Sequence, residues 1–250
     1  MNEMLYEMIF KRKSFHLFRD AHGKITNEEL NSIYNFFEKI KPLIDDIKVS
    51  MRIVPASETN CKRGEEYCIL FYSEKKGNYL QNIGYIGEQI DLYLASMNIG
   101  ALWFGIGKTD EYLFENLDFV IMIAIAKMPE DKFRKDMLKA KRKPLDEIWS
   151  GNIPEYADIV RFAPSACNTQ PWIVESETNG LKVYRHKKPG KRGIMPANEV
   201  TFYNRIDVGI FICFLELCFE HQGQAFERIL YIDNGDNCAE KVLTAEYKWK

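Results

Sequence analysis

Between Ile206 and Phe219 only Asp207, Gly209 and Glu216 interrupt an otherwise apolar run. A helix over these residues has no face fit for water, because apolar side chains surround its whole circumference. The run is also too short for a bilayer, which takes about 20 apolar residues. Such a helix must lie inside an interface that the rest of the chain builds around it. The material is there: 250 residues, 46% hydrophobic and 28% charged, the balance of a chain that offsets its ordering entropy by burial. Length alone allows one large unit or two intimate ones.

Lysine and arginine total 34 against 36 acidic residues, a formal charge of -2. No global field recruits nucleic acid or anionic lipid, so any anion site must be local. The cysteines at 61, 68, 167, 213, 218 and 238 form no CxxC pair, no N-x-S/T sequon occurs, and the first residues lack a signal-peptide pattern. Reduced thiols, a cytoplasmic location, no nucleic-acid partner and no membrane partner are the expectations.

Thr26 followed by Glu29 is a capping box, and Leu30, Ile33, Phe36 or Phe37 and Ile40 keep helical spacing up to Pro42. From Tyr79 to Ile99 the apolar positions Ile83, Ile86, Ile90, Tyr93 and Met97 fall three or four apart, with Gly100 as the stop. A helix from Pro154 to Phe162 and a short helical stretch carrying Leu5, Met8 and Ile9 complete the set. Strands are expected at 51–54, 68–73, 172–177, 181–185 and 229–233, the last followed by a turn at Asn234-Gly235 that finishes the chain. Asn179-Gly180 offers the positive φ angles of a two-residue hairpin turn between 172–177 and 181–185. Phe119 to Ala126 is a continuous apolar run, too short for a helix and suited to a strand covered on both faces.

Aligning the helix that ends at Gly100 with one that ends at Gly223 gives an offset of 123, with Gly84 opposite Asp207 and Ala95 opposite Cys218. Residues 1–149 and 150–250 then read as two halves, each with strands around one long buried helix, a pseudo-dimer within one chain. The expected class is α+β, two half-sized copies packed around long buried helices and joined by a basic connector at about 128 to 150.

Two constellations bear on chemistry. Arg12, Lys13, Ser14 and His16 gather a guanidinium fork, a hydroxyl and cationic donors in five residues, which is what a phosphate monoester needs. A solvated basic surface explains the same residues. In the loop Ala163-Pro164-Ser165-Ala166-Cys167-Asn168-Thr169-Gln170-Pro171-Trp172, two prolines fix the backbone while small residues leave amides approachable by a ligand; a plain rigid loop is the other reading. Other chemistries fail on spacing. Gly107-Lys108-Thr109 ends like a P-loop, but Leu102 stands where that loop needs glycine. Cys167 has no acid or histidine beside it, and a small buried thiol is the expected state. His22, His186 and His221 show no metal spacing, and Asp233 to Asp236 lacks the alternating oxygens of a calcium loop, so no metal is expected. Arg185, Lys187, Lys188, Lys191 and Arg192 form a basic loop without interleaved aromatics, a solvated loop or an attractor for a nicotinamide cofactor's phosphates.

The string RKSFHLF at 12–18 resembles the N-terminal FMN-phosphate motif of the nitroreductase family, and APSACNTQPW at 163–172 resembles its second flavin motif. Asn98 to Gly105 is similar to the family's helix end and glycine loop beneath the flavin ring, and Lys141-Arg142-Lys143-Pro144 to its C-terminal basic motif, which also reaches the phosphate. In the usual chain of that family the second motif follows the first by some tens of residues; here about 150 residues intervene. Each half lacks what the other supplies, as in a fused branch where two half-sized copies form one pocket. His16 departs from the arginine or lysine common at its place, and Ile106-Gly107-Lys108 departs from the pattern after Gly105.

The resemblance implies one FMN per chain. Its phosphate would be held by Arg12, Ser14, His16 and Arg142, with Lys13 and Lys141 adding charge. Pro164, Ser165, Ala166 and Asn168 would line the ring and ribityl edge, with Gln170 a weaker candidate, and Trp103 and Gly105 would lie beside the ring. It also implies hydride transfer from NADH or NADPH through the flavin to a small-molecule acceptor such as a nitroaromatic or quinone, by a ping-pong mechanism without an acid-base dyad. An FMN-binding protein without turnover is the rival. An open stacking face favours the reductase, and one filled by Trp103 or Phe104 the binder. With both halves in one chain, a monomer suffices.

Overall fold

The computed structural model describes residues 2–187, 190, 192–233, 235 and 239–250. Lys188, Lys191, Asn234, Asp236 and Cys238 lie outside the described residues. The elements are α1 (Asn2–Lys11), α2 (Asn27–Phe37), β1 (Val49–Pro55), β2 (Tyr67–Ser73), α3 (Tyr79–Ser96), β3 (Ile99–Phe104), β4 (Leu113–Phe114) and β5 (Leu117–Lys127). There follow α4 (Leu145–Ile148), β6 (Trp149–Ser150), α5 (Ala157–Val160), β7 (Trp172–Glu177), β8 (Gly180–His186), α6 (Val200–His221), β9 (Phe226–Leu230) and β10 (Lys241–Trp249). The α2 capping box forms as expected, with Glu29 N donating to Thr26 Oγ1 at 3.2 Å and Thr26 N donating to Glu29 Oε2 at 2.9 Å.

The first sheet runs β1-β2-β5-β3 with β4 added to β5, all antiparallel; the second runs β6-β7-β8-β10-β9, parallel only between β6 and β7. Between the sheets α3 and α6 pack on each other, and α1 lies across both. The architecture is the expected α+β class. Every residue from Ile206 to Phe219 is buried, so this apolar run occupies the molecular interior. No helix among the described residues is long and apolar enough to cross a membrane. In β5, Ile121, Ile123 and Ile125 join the central core while Met122, Ala124 and Ala126 join a second core under Phe15, Phe18 and Phe133. Both faces are therefore covered, and alternation in side-chain direction explains why the run carries no charge.

The α3–α6 crossing depends on two glycines. A Cβ at Gly84 would lie 2.0 Å from the Ile206 carbonyl oxygen, and one at Gly209 would lie 2.0 Å from the Gln81 carbonyl oxygen. The contacts are reciprocal. Gln81 to Ile206 and Gly84 to Gly209 each span 125 positions, whereas alignment by helix ends paired Gly84 with Asp207.

Helix α3 stops at Ser96 because Asn98 takes the left-handed φ of 56°, and Gly100 lies in β3. Asn98 to Gly105 is thus mostly strand, and Gly100 is small because a Cβ would meet Met128 Cγ at 2.5 Å. The 172–185 hairpin forms, but its turn residues are Thr178 and Asn179, neither with positive φ. Gly180 is in the strand, where a Cβ would meet the Tyr247 carbonyl oxygen at 1.9 Å. A two-residue hairpin turn with two positive φ angles forms instead at Glu115-Asn116, at 50° and 63°, between β4 and β5. Pro154 to Phe162 holds only the single turn α5. The strand placed at 229–233 is Phe226–Leu230, and the chain finishes with β10, unforeseen because a bulge between Leu243 and Ala245 breaks its alternation.

Candidate functional site

At the end of α1 the chain turns to run beside β3, where Ser14 bridges Ala101 in parallel and Phe15 N donates to the Ala101 carbonyl at 3.0 Å. That anchoring delivers Arg12, Ser14 and His16 to one end of a cleft. Arg12 is almost wholly buried: its Nε donates to Asp91 Oδ2 at 2.7 Å and lies 3.4 Å from Glu88 Oε1, and its Nη2 donates to Ser14 Oγ at 2.9 Å. Burial opposes the charge on Arg12, but the two carboxylates outweigh it and raise its pKa. Glu88 pays for the arrangement, since burial pushes its pKa well above the usual range despite the guanidinium.

Two more arginines come to the same place from the connector. Burial, with the neighbouring Arg12 charge, lowers both Arg134 and Arg142 to about 10. Arg134 was only one member of the basic run; its role at the cleft was missed because nothing local distinguishes it from its neighbours. Arg142 Nη1 donates to Asn168 Oδ1 at 2.9 Å and its Nη2 to the Phe162 carbonyl at 3.0 Å, while its buried Nε has no hydrogen-bond partner. The Lys13 ammonium is tethered to the Lys132 carbonyl at 2.9 Å. Lys141 contributes its carbonyl, which accepts from Asn168 Nδ2 at 3.1 Å, and its side chain is exposed.

Opposite stands the 163–172 loop, with the left-handed φ angles of Cys167 (49°), Asn168 (57°) and Gln170 (49°); the Cys167 thiol is exposed, not buried as expected, because the turn carries it to the rim of the cleft. Non-glycine residues in that region store strain that a surrounding structure must hold in place. Here Gln170 N donates to Ser165 Oγ at 2.9 Å and Ala166 N donates to Asp207 Oδ1 at 2.9 Å. Gln170 is a splint, its Oε1 accepting from Lys143 N at 2.8 Å, and it lines no part of the cleft.

The cleft has three parts that share lining residues. A basic chamber is lined by Arg12, Lys13, Ser14, Arg134, Arg142 and Asn168, facing Pro164 and Ser165. An inner chamber lies between β3 and α6, with Trp103, Gly105, Pro164, Ser165, Ala166 and Asp207 in its wall. An outer chamber opens beyond Trp103 and Phe104, rimmed by Arg63, Ile106 and Met195. His16 borders all three. Asn168 lines the basic chamber, bonded to Arg142. Gly105 is small for a reason the sequence concealed: a Cβ would meet the Tyr203 ring at 2.7 Å, and Tyr203 Oη donates to the Gly105 carbonyl at 2.8 Å. Trp103 is drawn toward α3 over Gly87, its Nε1 donating to Glu88 and Asp91 at 3.2 and 3.1 Å.

Asp207 is the second residue the motifs did not reveal, although its break in the apolar run was visible. Burial raises its pKa to about 8, against the hydrogen bonds from Ala166 and Thr169 that favour its charged form. In an unfolded chain an aspartate titrates near about 3.9. Between these values the folded state keeps a proton that the unfolded state has lost. The group therefore favours folding at low pH, and its contribution is lost as pH rises toward 8. Relative to Asp207→Asn, the native unfolding free energy should fall by up to about 1.4 kcal/mol per pH unit between about pH 5 and 7. Urea unfolding at several pH values measures it, and parallel curves for the two proteins would assign the proton elsewhere.

The model of the family described as "Putative TM nitroreductase" matches residues 4–218. No curated protein matches the sequence. Among solved structures, a putative nitroreductase from Thermotoga maritima is 18% identical, covering 98% of this chain and 92% of its own, with a TM-score of 0.62. A putative nitroreductase in complex with FMN from Desulfovibrio desulfuricans is 16% identical, covering 60% of this chain and 98% of its own at a TM-score of 0.42. The full-length likeness reproduces the α+β arrangement of paired sheets and buried helices, and with the family model spanning most of its length the chain belongs to the nitroreductase family.

Proposed function

We propose that the chain is an FMN-dependent oxidoreductase, with the flavin phosphate in the basic chamber and the ring between β3 and the 163–172 loop. The observation that carries this reading is the convergence of Arg12, Arg134 and Arg142 on one chamber, where Arg12 depresses Arg134 and both depress Arg142, with the buried Arg142 Nε unpartnered. Like charges gathered at such a cost fit a dianion. When bound, the flavin would supply two-electron chemistry between NADH or NADPH and an acceptor such as a nitroaromatic or quinone.

The protein's own part is to bind, orient and leave access. Asp207 and Ser165 hold the strained loop, Asp91 and Glu88 aim Arg12, and His16 borders phosphate and ring regions alike. Phe104 is packed in the second core, Trp103 is drawn against α3, and the outer chamber stays open. That access favours a reductase over a flavin store.

The same reading takes residues 1–149 and 150–250 as two copies with one working pocket. At the 125-residue offset Asp207 corresponds to Asn82, whose Oδ1 accepts from Ile44 N at 3.0 Å as Asp207 accepts from Ala166 N. Ile210 of the inner chamber corresponds to Tyr85, whose hydroxyl donates to Glu216 at 2.9 Å; Arg228 binds that carboxylate too and donates to the Leu43 carbonyl.

The protein should purify yellow, and NADH or NADPH should bleach the visible flavin absorption under anaerobic stopped flow. Yellow protein that neither nucleotide bleaches would be the non-turnover binder. Arg142→Ala should weaken FMN binding by about 1.5 to 3 kcal/mol, the worth of a charge-assisted hydrogen bond. Unchanged affinity in a fluorescence titration removes the phosphate from this chamber.

A further inference from the structure

The connection from β1 to β2 brings together Cys61, Glu65 and Cys68, outside the flavin cleft. Cys61 is 1% and Cys68 0% exposed, and the two sulfurs and a Glu65 carboxylate oxygen all lie within 4.8 Å of one another. The sequence hides this cluster because its spacing matches no CxxC or histidine pattern; the antiparallel return of the chain creates it.

We propose that Cys61, Glu65 and Cys68 form a binding site for a thiophilic divalent cation of the zinc type at the base of this loop. Two thiolates and a carboxylate are a ligand set that zinc accepts, with sulfur at about 2.3 Å and oxygen at about 2.0–2.2 Å. Tetrahedral bonding at those lengths sets donors roughly 3.5 to 3.8 Å apart, so closure on a cation asks for a contraction of about 1.3 Å at most from the 4.8 Å limit. A disulfide would need far closer approach, at about 2.05 Å. Binding releases one proton from each thiol and forms two metal–sulfur bonds and one metal–oxygen bond.

The surroundings hold the donors in place. Thr59 Oγ1 lies 3.4 Å from Cys68 Sγ and accepts from Cys61 N at 3.2 Å, and Arg63 N donates to Glu65 Oε2 at 2.7 Å. Such outer partners orient ligands in metal sites. The loop is also tied to the outer chamber's rim: Asn60 N donates to the Lys108 carbonyl at 3.1 Å and Asn60 Nδ2 to the Ile106 carbonyl at 3.2 Å. Arg63, between the ligands in sequence, stands over the Phe104 ring at 5.8 Å and borders that chamber. A cation here would be a staple that fixes the loop carrying Arg63.

Cobalt(II) is the probe. Reduced, anaerobic protein titrated with Co²⁺ should bind one equivalent with a thiolate charge-transfer band, and one equivalent of Zn²⁺ should displace it and raise the thermal midpoint. Cys61→Ser and Cys68→Ser should each abolish the band, whereas Cys167→Ser should keep it. Thr59→Val should weaken Co²⁺ binding by about 10- to 100-fold, as loss of an outer partner does. If the cysteine variants fail to fold by circular dichroism, Glu65→Gln, at a half-exposed position, must show a weakened and shifted band. No band at equimolar Co²⁺ in folded protein, a band that survives both cysteine substitutions, or thiol titration revealing a Cys61–Cys68 disulfide would each overturn the site. Flavin content is independent of these readouts, so failure here leaves the oxidoreductase reading standing.

Discussion

Gly209→Ala should cost about 3 to 5 kcal/mol of stability, near the upper end for a single added methyl. The added carbon would sit 2.0 Å from the Gln81 carbonyl oxygen, and backbone in the middle of a buried helix cannot rotate aside as a side chain does. Relief requires α3 and α6 to separate, which loosens the packing of Ile83, Ile210 and Phe214 on either side. Gly84→Ala meets the Ile206 carbonyl oxygen at the same 2.0 Å and should behave alike. Guanidinium unfolding followed by circular dichroism measures both. A loss below about 0.5 kcal/mol, the scale of surface substitutions, would mean the helices do not cross here.

Arg12→Ala should also destabilise the fold by about 3 to 5 kcal/mol, because removing one member of a buried ion pair strands its partners. Asp91 is 2% and Glu88 0% exposed, and without the guanidinium only Trp103 Nε1, among the described residues, donates to these two carboxylates. The variant therefore reports mainly on folding, which is why Arg142 is the better probe of flavin binding. Adding Asp91→Asn and Glu88→Gln to Arg12→Ala should restore part of the loss in a mutant cycle. If Arg12→Ala alone unfolds at the native denaturant concentration, the carboxylates are not held by this pair.

Features set by local pattern were legible beforehand. The charge-free stretch in β5 and the run in α6 announced burial on all sides, and Thr26 with Glu29 announced the start of α2. The phosphate-type string and the 163–172 loop were legible as motifs, and the structure brings Arg12, Ser14 and Ser165 to one chamber. Where an assignment rested on what a residue type permits, it often failed. Asn179-Gly180 allowed positive φ, yet Gly180 is required by the approach of Tyr247, and the positive angles went to Glu115-Asn116.

The sequence by itself determined which segments must be hidden from water and which short strings carry phosphate-type chemistry, because periodicity and side-chain chemistry act between near neighbours. Tertiary structure alone decided why Gly105 must be small, which acid supports the strained loop, and which two cysteines meet. Tyr203, Asp207 and Cys68 reach Gly105, Ala166 and Cys61 only once the chain has folded back, and no local spacing encodes such contacts.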